Sequence, residues 1–283
     1  MSAASLTWGG RSIPGPDGLP AVAVSLTGPS LAHARAQARS AIDAGADVLE
    51  LRVDLLEETG ALTAAPMDTA AARVLECLQG VGEVANGADA DAGAPLLLTC
   101  RTAVEGGRAH LDAAAYGALL RSVLDGLADW APERRPAAID VEVQRGCLRR
   151  VCKQAHALGV DVVASFHDFE ATPPDEVLEE VLARMASEEA DLAKIAVWPA
   201  SAEDVARLLG VTARAAASLP VPVAAMSMGA LGMISRVAAV FGSALTFAVV
   251  PDEEGCIEAS APGQLPIDEV RRCLSLLGGR PIG

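Results

Sequence analysis

The chain has almost no lysine. Of its 22 basic residues only Lys153 and Lys194 are lysines; the rest are arginines. Aromatic residues are nearly as scarce, at 3% against 51% hydrophobic residues, so the core must be built from Ala, Val and Leu. Positive charge is short overall: 37 acidic residues give a net charge of −15 over 283 residues and a pI near 4.6. Such a surface excludes nucleic acid and anionic membranes as natural partners. An anionic substrate would need a local cluster of arginines to offset the general field. There is no C-x-x-C pair. The six cysteines, at 77, 100, 147, 152, 256 and 273, fall singly in apolar patterns, which reads as free buried thiols in a reducing cytoplasm and excludes a zinc site. Long hydrophobic runs are also missing. The longest, 237–250, is broken at Phe241-Gly242-Ser243 and is too short to span a bilayer. The opening MSAASLTWGGR has no charged segment leading into an apolar one, so no signal peptide is expected and a cytoplasmic protein follows.

What is present is a repeated unit. After a Gly/Pro-rich segment at 8–20, which predicts a turn or small hairpin, apolar strands alternate with helical segments. Strands are expected over 21–26, 48–54, 95–101, 137–143, 161–169, 192–198, 222–228 and 244–250. Helices are expected over 30–45, 66–80, 112–129, 146–158, 174–188, 201–217, 230–241 and 266–277. Eight strand–helix units in one chain of this length predict a single α/β domain, a (β/α)8 TIM barrel with a short N-terminal hairpin-like extension. An open doubly wound sheet is the competitor, but no G-x-G-x-x-G follows the first strand. The acidic stretch 82–94 is expected to be a loop insertion on the bottom face, away from chemistry.

Side chains alternate along a strand, so residues two apart share a face. This parity puts Glu50, Arg52 and Asp54 on one face of the second strand, and Thr99 and Arg101 on one face of the third. It puts Asp140 and Glu142 together on the fourth, Ser165 and His167 on the fifth, and Lys194, Ala196 and Trp198 on the sixth. Singly, each has a structural explanation. Lys194 could pair with a carboxylate, Glu50 with Arg52, and His167 could be a satisfied core histidine. Together they are a costly way to fill a barrel unless they act, and they gather toward the C-terminal ends of the strands, where barrel enzymes keep their chemistry. A desolvated lysine, unlike arginine, can present a neutral amine and form an imine with a carbonyl. An imine acidifies the neighbouring carbon, and His167 is a base for that proton. Glu105 can orient the imidazole, and Arg52, Arg101 and Arg236 can hold a carboxylate or phosphate. No metal and no cofactor are expected.

Several motifs in combination resemble the type I 3-dehydroquinate dehydratases over nearly the whole chain. They are Glu50-Leu-Arg-Val-Asp54, Arg101 with Glu105-Gly-Gly107, Ser165-Phe-His-Asp-Phe169, Lys194-Ile-Ala-Val197, Met226-Ser-Met-Gly229, Ser235-Arg236, and Ser260-Ala-Pro-Gly-Gln264. The resemblance implies a barrel enzyme, usually a homodimer, that converts 3-dehydroquinate to 3-dehydroshikimate and water in the shikimate pathway. It implies Lys194 as Schiff-base former, His167 as acid–base and Glu105 as its partner. It implies Arg236 as the carboxylate clamp, with Glu50, Arg52, Arg101, Ser260 and Gln264 as further substrate contacts. Met226, Met228 and Phe247 are implied as apolar walls, and 254–264 as a lid. Two positions depart from the family pattern. Trp198 stands where Met is common, with an expected effect on the pocket, and Cys100 where Phe is common, facing the helices. A class I aldolase on the same scaffold would share the lysine but would want a Gly-rich phosphate site, for which Gly229 and Gly232 give slight support. A non-catalytic metabolite-binding barrel would not need Lys194, His167 and Glu105 together.

Overall fold

The computed structural model describes residues 4–60, 62, 66–86, 93–251 and 259–277. A two-stranded antiparallel hairpin, β1 (Leu6–Trp8) and β2 (Arg11–Ile13), precedes the barrel. Eight parallel strands then follow: β3 (Ala21–Leu26), β4 (Val48–Arg52), β5 (Leu96–Thr99), β6 (Ala138–Glu142), β7 (Asp161–Asp168), β8 (Leu192–Val197), β9 (Val223–Ser227) and β10 (Leu245–Val249). Between them run α1 (Leu31–Asp43), α2 (Met67–Ala85), α3 (Ala113–Leu127), α4 (Leu148–His156), α5 (Asp175–Ser187) and α6 (Ala202–Ser218). A single turn, α7 (Gly229–Gly232), follows β9. A two-residue strand, β11 (Leu265–Pro266), leads into α8 (Ile267–Leu277). Start signals in the sequence are used as written: Ser30 caps α1, and Ser201 with Asp204 forms a reciprocal capping box on α6.

The strands curl in the order β10-β3-β4-β5-β6-β7-β8-β9. The ring is joined differently where its ends meet. At the lower end the Ala244 N–H donates to the Val223 carbonyl (2.7 Å). At the upper end β11 pairs with β10, and the Gly229 N–H donates to the Pro262 carbonyl (3.1 Å).

Two cores result from strand parity. The larger lies between strands and helices and takes Leu49, Leu51, Ile139, Val141 and Ile195, together with Cys100, which faces the helices as expected. The smaller fills the lower barrel interior with Val48, Leu97, Ala138, Val163, Leu192 and Leu245. The hairpin plugs it from below with buried Trp8 and Ile13. The Trp8 indole donates to Asp161 at 2.9 Å, which satisfies its polar edge.

Two expectations are corrected. The segment 230–241 is not one helix: after α7 it runs as short 3₁₀ turns at Met233–Arg236 and Ala239–Phe241. Ser235 causes the break. Its hydroxyl donates to the Gly232 carbonyl (2.6 Å) and accepts the Ser227 N–H (2.8 Å), drawing the segment onto the end of β9. A Cβ on Gly232 would stand 2.2 Å from the Ser227 carbonyl oxygen, so this approach requires glycine. The stretch 82–94 is not loop from its start, because α2 continues to Ala85; 87–92 lie outside the described residues. Among the described residues no helix is long and apolar enough to cross a membrane.

Candidate active site

The upper half of the barrel interior holds a cavity of about 490 Å³, counting its open mouth. Lys194 rises from the middle of β8 into it. Its Nζ lies 3.7 Å from Glu50, 3.6 Å from Asp140 and 4.4 Å above the centre of the Phe247 ring. The strand register sets this up. Ser165 of β7 stands beside both Glu142 and Lys194, and Ser25 of β3 stands beside Glu50.

Glu50 is fixed on both oxygens, by the Ser25 hydroxyl at 2.5 Å and the Thr99 hydroxyl at 2.9 Å. Burial would raise its pKa, but Lys194 and then Arg52, with Ser25, outweigh that and hold it at about 2. It is a carboxylate throughout the working pH range.

Glu105 comes from a tight turn after β5. Gly107 permits the turn, since a Cβ there would lie 2.1 Å from the Arg101 carbonyl oxygen. The Glu105 Oε2 accepts the His167 backbone N–H (3.1 Å) and faces His167 Nδ1 at 2.9 Å. Burial lifts the Glu105 pKa to about 8, with Glu142 and Asp140 adding to it and Arg101 opposing. Burial also pushes His167 well below its ordinary 6.5, helped by the charges of Arg101, Lys194 and Arg52. The imidazole is therefore neutral at neutral pH. Because Oε2 is already an acceptor from the backbone, it takes the Nδ1 proton as a second bond, and Nε2 is left as the basic nitrogen.

The three arginines grouped from the sequence are not equivalent. Arg52 makes a paired contact with Asp54, both bonds 2.8 Å. Arg101 is surrounded by acceptors: both Asp140 oxygens at 3.0 Å, Glu142 at 3.2 Å and Ser165 at 2.9 Å, with Glu105 3.5 Å away. Both line the cavity, yet their charges are already matched. Arg236 is buried with no carboxylate partner among the described residues. Its Nη2 donates to the Pro262 carbonyl (3.1 Å), its Nε has no acceptor, and burial alone lowers its pKa to about 10. A buried guanidinium lacking an anion is a site for one.

Met226, Met228 and Phe247 supply apolar lining, and Ser260 and Gln264 cover the cavity. Ser260 donates to Ser25 (2.9 Å), and Gln264 Oε1 accepts the Ser260 N–H (2.9 Å). Of the stretch 254–264, residues 254–258 lie outside the described residues. Trp198 departs from expectation. It lies past the end of β8 and packs over Gly229, where a Cβ would be 3.3 Å from its ring, and it does not line the cavity. Sequence reasoning missed Asp140 as a direct neighbour of Lys194, and missed Glu142, Ser165, Ser25 and Asp54 as anchors. Parity had already placed most of them inward.

A buried lysine, a neutral imidazole and an arginine with no carboxylate partner among the described residues, gathered at the C-terminal end of a β/α barrel, fit a class: enzymes acting on small anionic substrates. The profile of the type I 3-dehydroquinase family matches residues 22–281, and the chain belongs to that family. It is 37% identical to the 3-dehydroquinate dehydratase of Klebsiella pneumoniae over 261 residues, covering 90% of this chain and 92% of that one. It is 36% identical to that of Escherichia coli over 265 residues, covering 92% and 94%. The crystal structure of 3-dehydroquinate dehydratase from Geobacillus kaustophilus superposes with a TM-score of 0.81 at 30% identity, covering 98% of this chain and 97% of that one. The type I enzyme from Clostridium difficile, solved with covalent modified comenic acid, gives 0.79 at 29% identity, covering 98% and 99%.

Proposed function

We propose that the chain dehydrates 3-dehydroquinate to 3-dehydroshikimate through a Schiff base on Lys194. The observation that carries this reading is the position of Nζ: the only lysine of the cavity, held beside Glu50 and Asp140 and facing the His167–Glu105 pair. The relatives' named activity supplies the substrate. The covalent adduct in the Clostridium difficile relative fits a nucleophile in this family.

In the proposed sequence Arg236 binds the substrate carboxylate, and Ser260, Gln264, Arg52 and Arg101 set the ring against the walls of Met226, Met228 and Phe247. Lys194 Nζ adds to the C3 carbonyl and water leaves as the imine forms. His167 Nε2 takes the C2 proton and the electron pair becomes an enamine. As the C1–O bond breaks, His167 returns the proton to the departing hydroxyl, which leaves as water. A further water hydrolyses the imine and frees Nζ. One water is released overall. The same reading makes the chain a single catalytic domain, a homodimer and a cytoplasmic enzyme of the shikimate pathway.

Borohydride added with 3-dehydroquinate, followed by intact-mass measurement, tests the mechanism. The expected result is one stable adduct on Lys194 that is absent from Lys194→Ala. No adduct, or an adduct on Lys153, sinks it. Absence of an enone absorbance rise from 3-dehydroquinate would sink the substrate assignment.

A further inference from the structure

The charge network of the active site has an outer end that this chemistry does not use. Between the first halves of α3 and α4 lies a second cavity, an open hollow of about 630 Å³ counting its mouth, lined by Arg121, Arg145 and Arg150 and, among the described residues, by no carboxylate. Gly117 and Cys147 close its wall; a Cβ on Gly117 would stand 3.1 Å from that of Cys147. Two of the three guanidinium groups, those of Arg121 and Arg150, have no carboxylate partner among the described residues. Among the described residues Arg121 donates only its Nε, to the Gly117 carbonyl (3.2 Å). Arg150 has no side-chain partner among the described residues. Arg145 lies over the Tyr116 ring at 5.9 Å and turns Nε to Glu142 (2.9 Å) and Nη2 to the Thr102 hydroxyl. Burial is the main influence on the Cys147 thiol and raises its pKa. Arg150 and Arg121 act on it in the opposite direction and Glu142 adds to the rise; both arginines line the hollow beside this thiol.

The chain carries a net charge of −15, so a wall that gathers arginines runs against the general field. Here Arg121 and Arg150, which have no carboxylate partner among the described residues, share one hollow with Arg145, whose Nη groups are not held by a carboxylate among those residues. Planar guanidinium forks match oxyanions in pairs, and the volume suits a small molecule. The hollow is also wired inward. Arg145 holds one oxygen of Glu142. The other oxygen accepts from the Thr102 N–H (2.7 Å) and from Arg101 (3.2 Å), which lies 3.5 Å from Glu105.

We propose that this cavity binds a small multiply charged oxyanion, a phosphate or polycarboxylate, and that its occupancy is felt by the Glu105–His167 pair through Arg145, Glu142 and Arg101. A ligand that draws Arg145 outward takes a donor from Glu142. Arg101 is then held more by Glu142 and less by Glu105. Binding itself is independent of the dehydratase reading; only the effect on turnover rests on it.

The test titrates inorganic phosphate and, separately, citrate, at ionic strength held constant with chloride. Binding is read by calorimetry and by Tm in the unaltered chain, in Arg236→Ala and in Arg121→Ala/Arg150→Ala. Both arginines of the double variant are exposed, so the fold is kept. Saturable binding is expected in the unaltered chain and in Arg236→Ala, weakened by about tenfold for each arginine removed from the second cavity. The tighter of the two probes identifies the class of anion. Unchanged affinity in the double variant, loss of binding in Arg236→Ala alone, or no saturable binding of either probe overturns the site. Where turnover is measured, saturating probe should lower kcat in the unaltered chain and not in the double variant. An effect confined to KM that survives in the double variant overturns the coupling.

Discussion

Halfway along its strands the barrel interior changes from hydrocarbon to charge. Two residues up from Val48 stands Glu50; above Leu97, Thr99; above Ala138, Asp140; above Val163, Ser165; above Leu192, Lys194. The same strands and the same parity serve both halves. The lower half is filled to closure and plugged by Trp8, so its side chains contribute transfer free energy and dispersion. The upper half sets buried carboxylates against buried cations. Replacing such pairs with apolar residues is often neutral or stabilising, so their use here is positional. Stability and chemistry are thus divided by height within one cylinder, and Arg236 is the buried cation of the upper half left without a carboxylate among the described residues.

Substitutions on each side of that boundary should separate the two properties. The largest effect is expected from Lys194→Met, which should cut kcat at least about a thousandfold. It also leaves buried Glu50 and Asp140 without this cation, so Tm should fall, and Lys194→Met/Glu50→Gln should recover part of that fall while kcat stays down. No recovery of Tm in the double variant would mean the upper half also carries the fold. Trp8→Ala should do the reverse. Removing the plug should cost about 3–5 kcal/mol by denaturant unfolding, with kcat of the folded enzyme unchanged. Next is the acid behaviour of Glu50. Its folded pKa of about 2 lies below the ordinary 4.5, so its charge adds stability above pH 4.5 that is lost as pH falls through 2. That is worth about 3 kcal/mol at most, and Glu50→Gln should flatten Tm against pH in this window. Arg236→Met should raise KM roughly 10- to 100-fold, as for a lost charge-assisted pair, and raise Tm slightly by removing a buried unmatched charge. A fall in Tm would show that Arg236 has a structural partner after all. The smallest effect is in the pH profile: with His167 neutral well below pH 6.5 and Glu105 titrating at about 8, any change in kcat/KM between pH 6.5 and 8 should belong to Glu105 and vanish in Glu105→Gln.

Much of this was legible in the sequence because strand parity is a rigid rule. It put Glu50, Arg101, His167 and Lys194 inside the barrel and Cys100 outside it, and the structure agrees for each. What parity does not encode is who meets whom across the interior. Arg101 reaches Asp140 and Glu142 from a neighbouring strand and Glu105 from its own loop, so its charge is consumed rather than offered. Arg52 and Arg236 read alike in the sequence, but only Arg52 has an aspartate two residues on to close upon. The segment 230–241 reads as a helix because Val237 to Val240 are apolar. One hydroxyl, that of Ser235, redirects it, and a contact with Ser227 eight residues back is invisible to local periodicity. Trp198 shares parity with Lys194, but the strand ends at Val197 and parity lapses there.

The ring of strands is not sealed evenly. Where β10 comes round to β9, the upper part of the joint is made by the strip that carries Ser260, Pro262 and Gln264, and the Pro262 carbonyl collects the Gly229 N–H and Arg236 together. A carboxylate bound by Arg236 under that strip would lie against the last joint of the cylinder and hold it shut, like the final hoop on a cask. Amide exchange at β9 and β10 should therefore slow when substrate binds, because the ligand itself finishes the barrel.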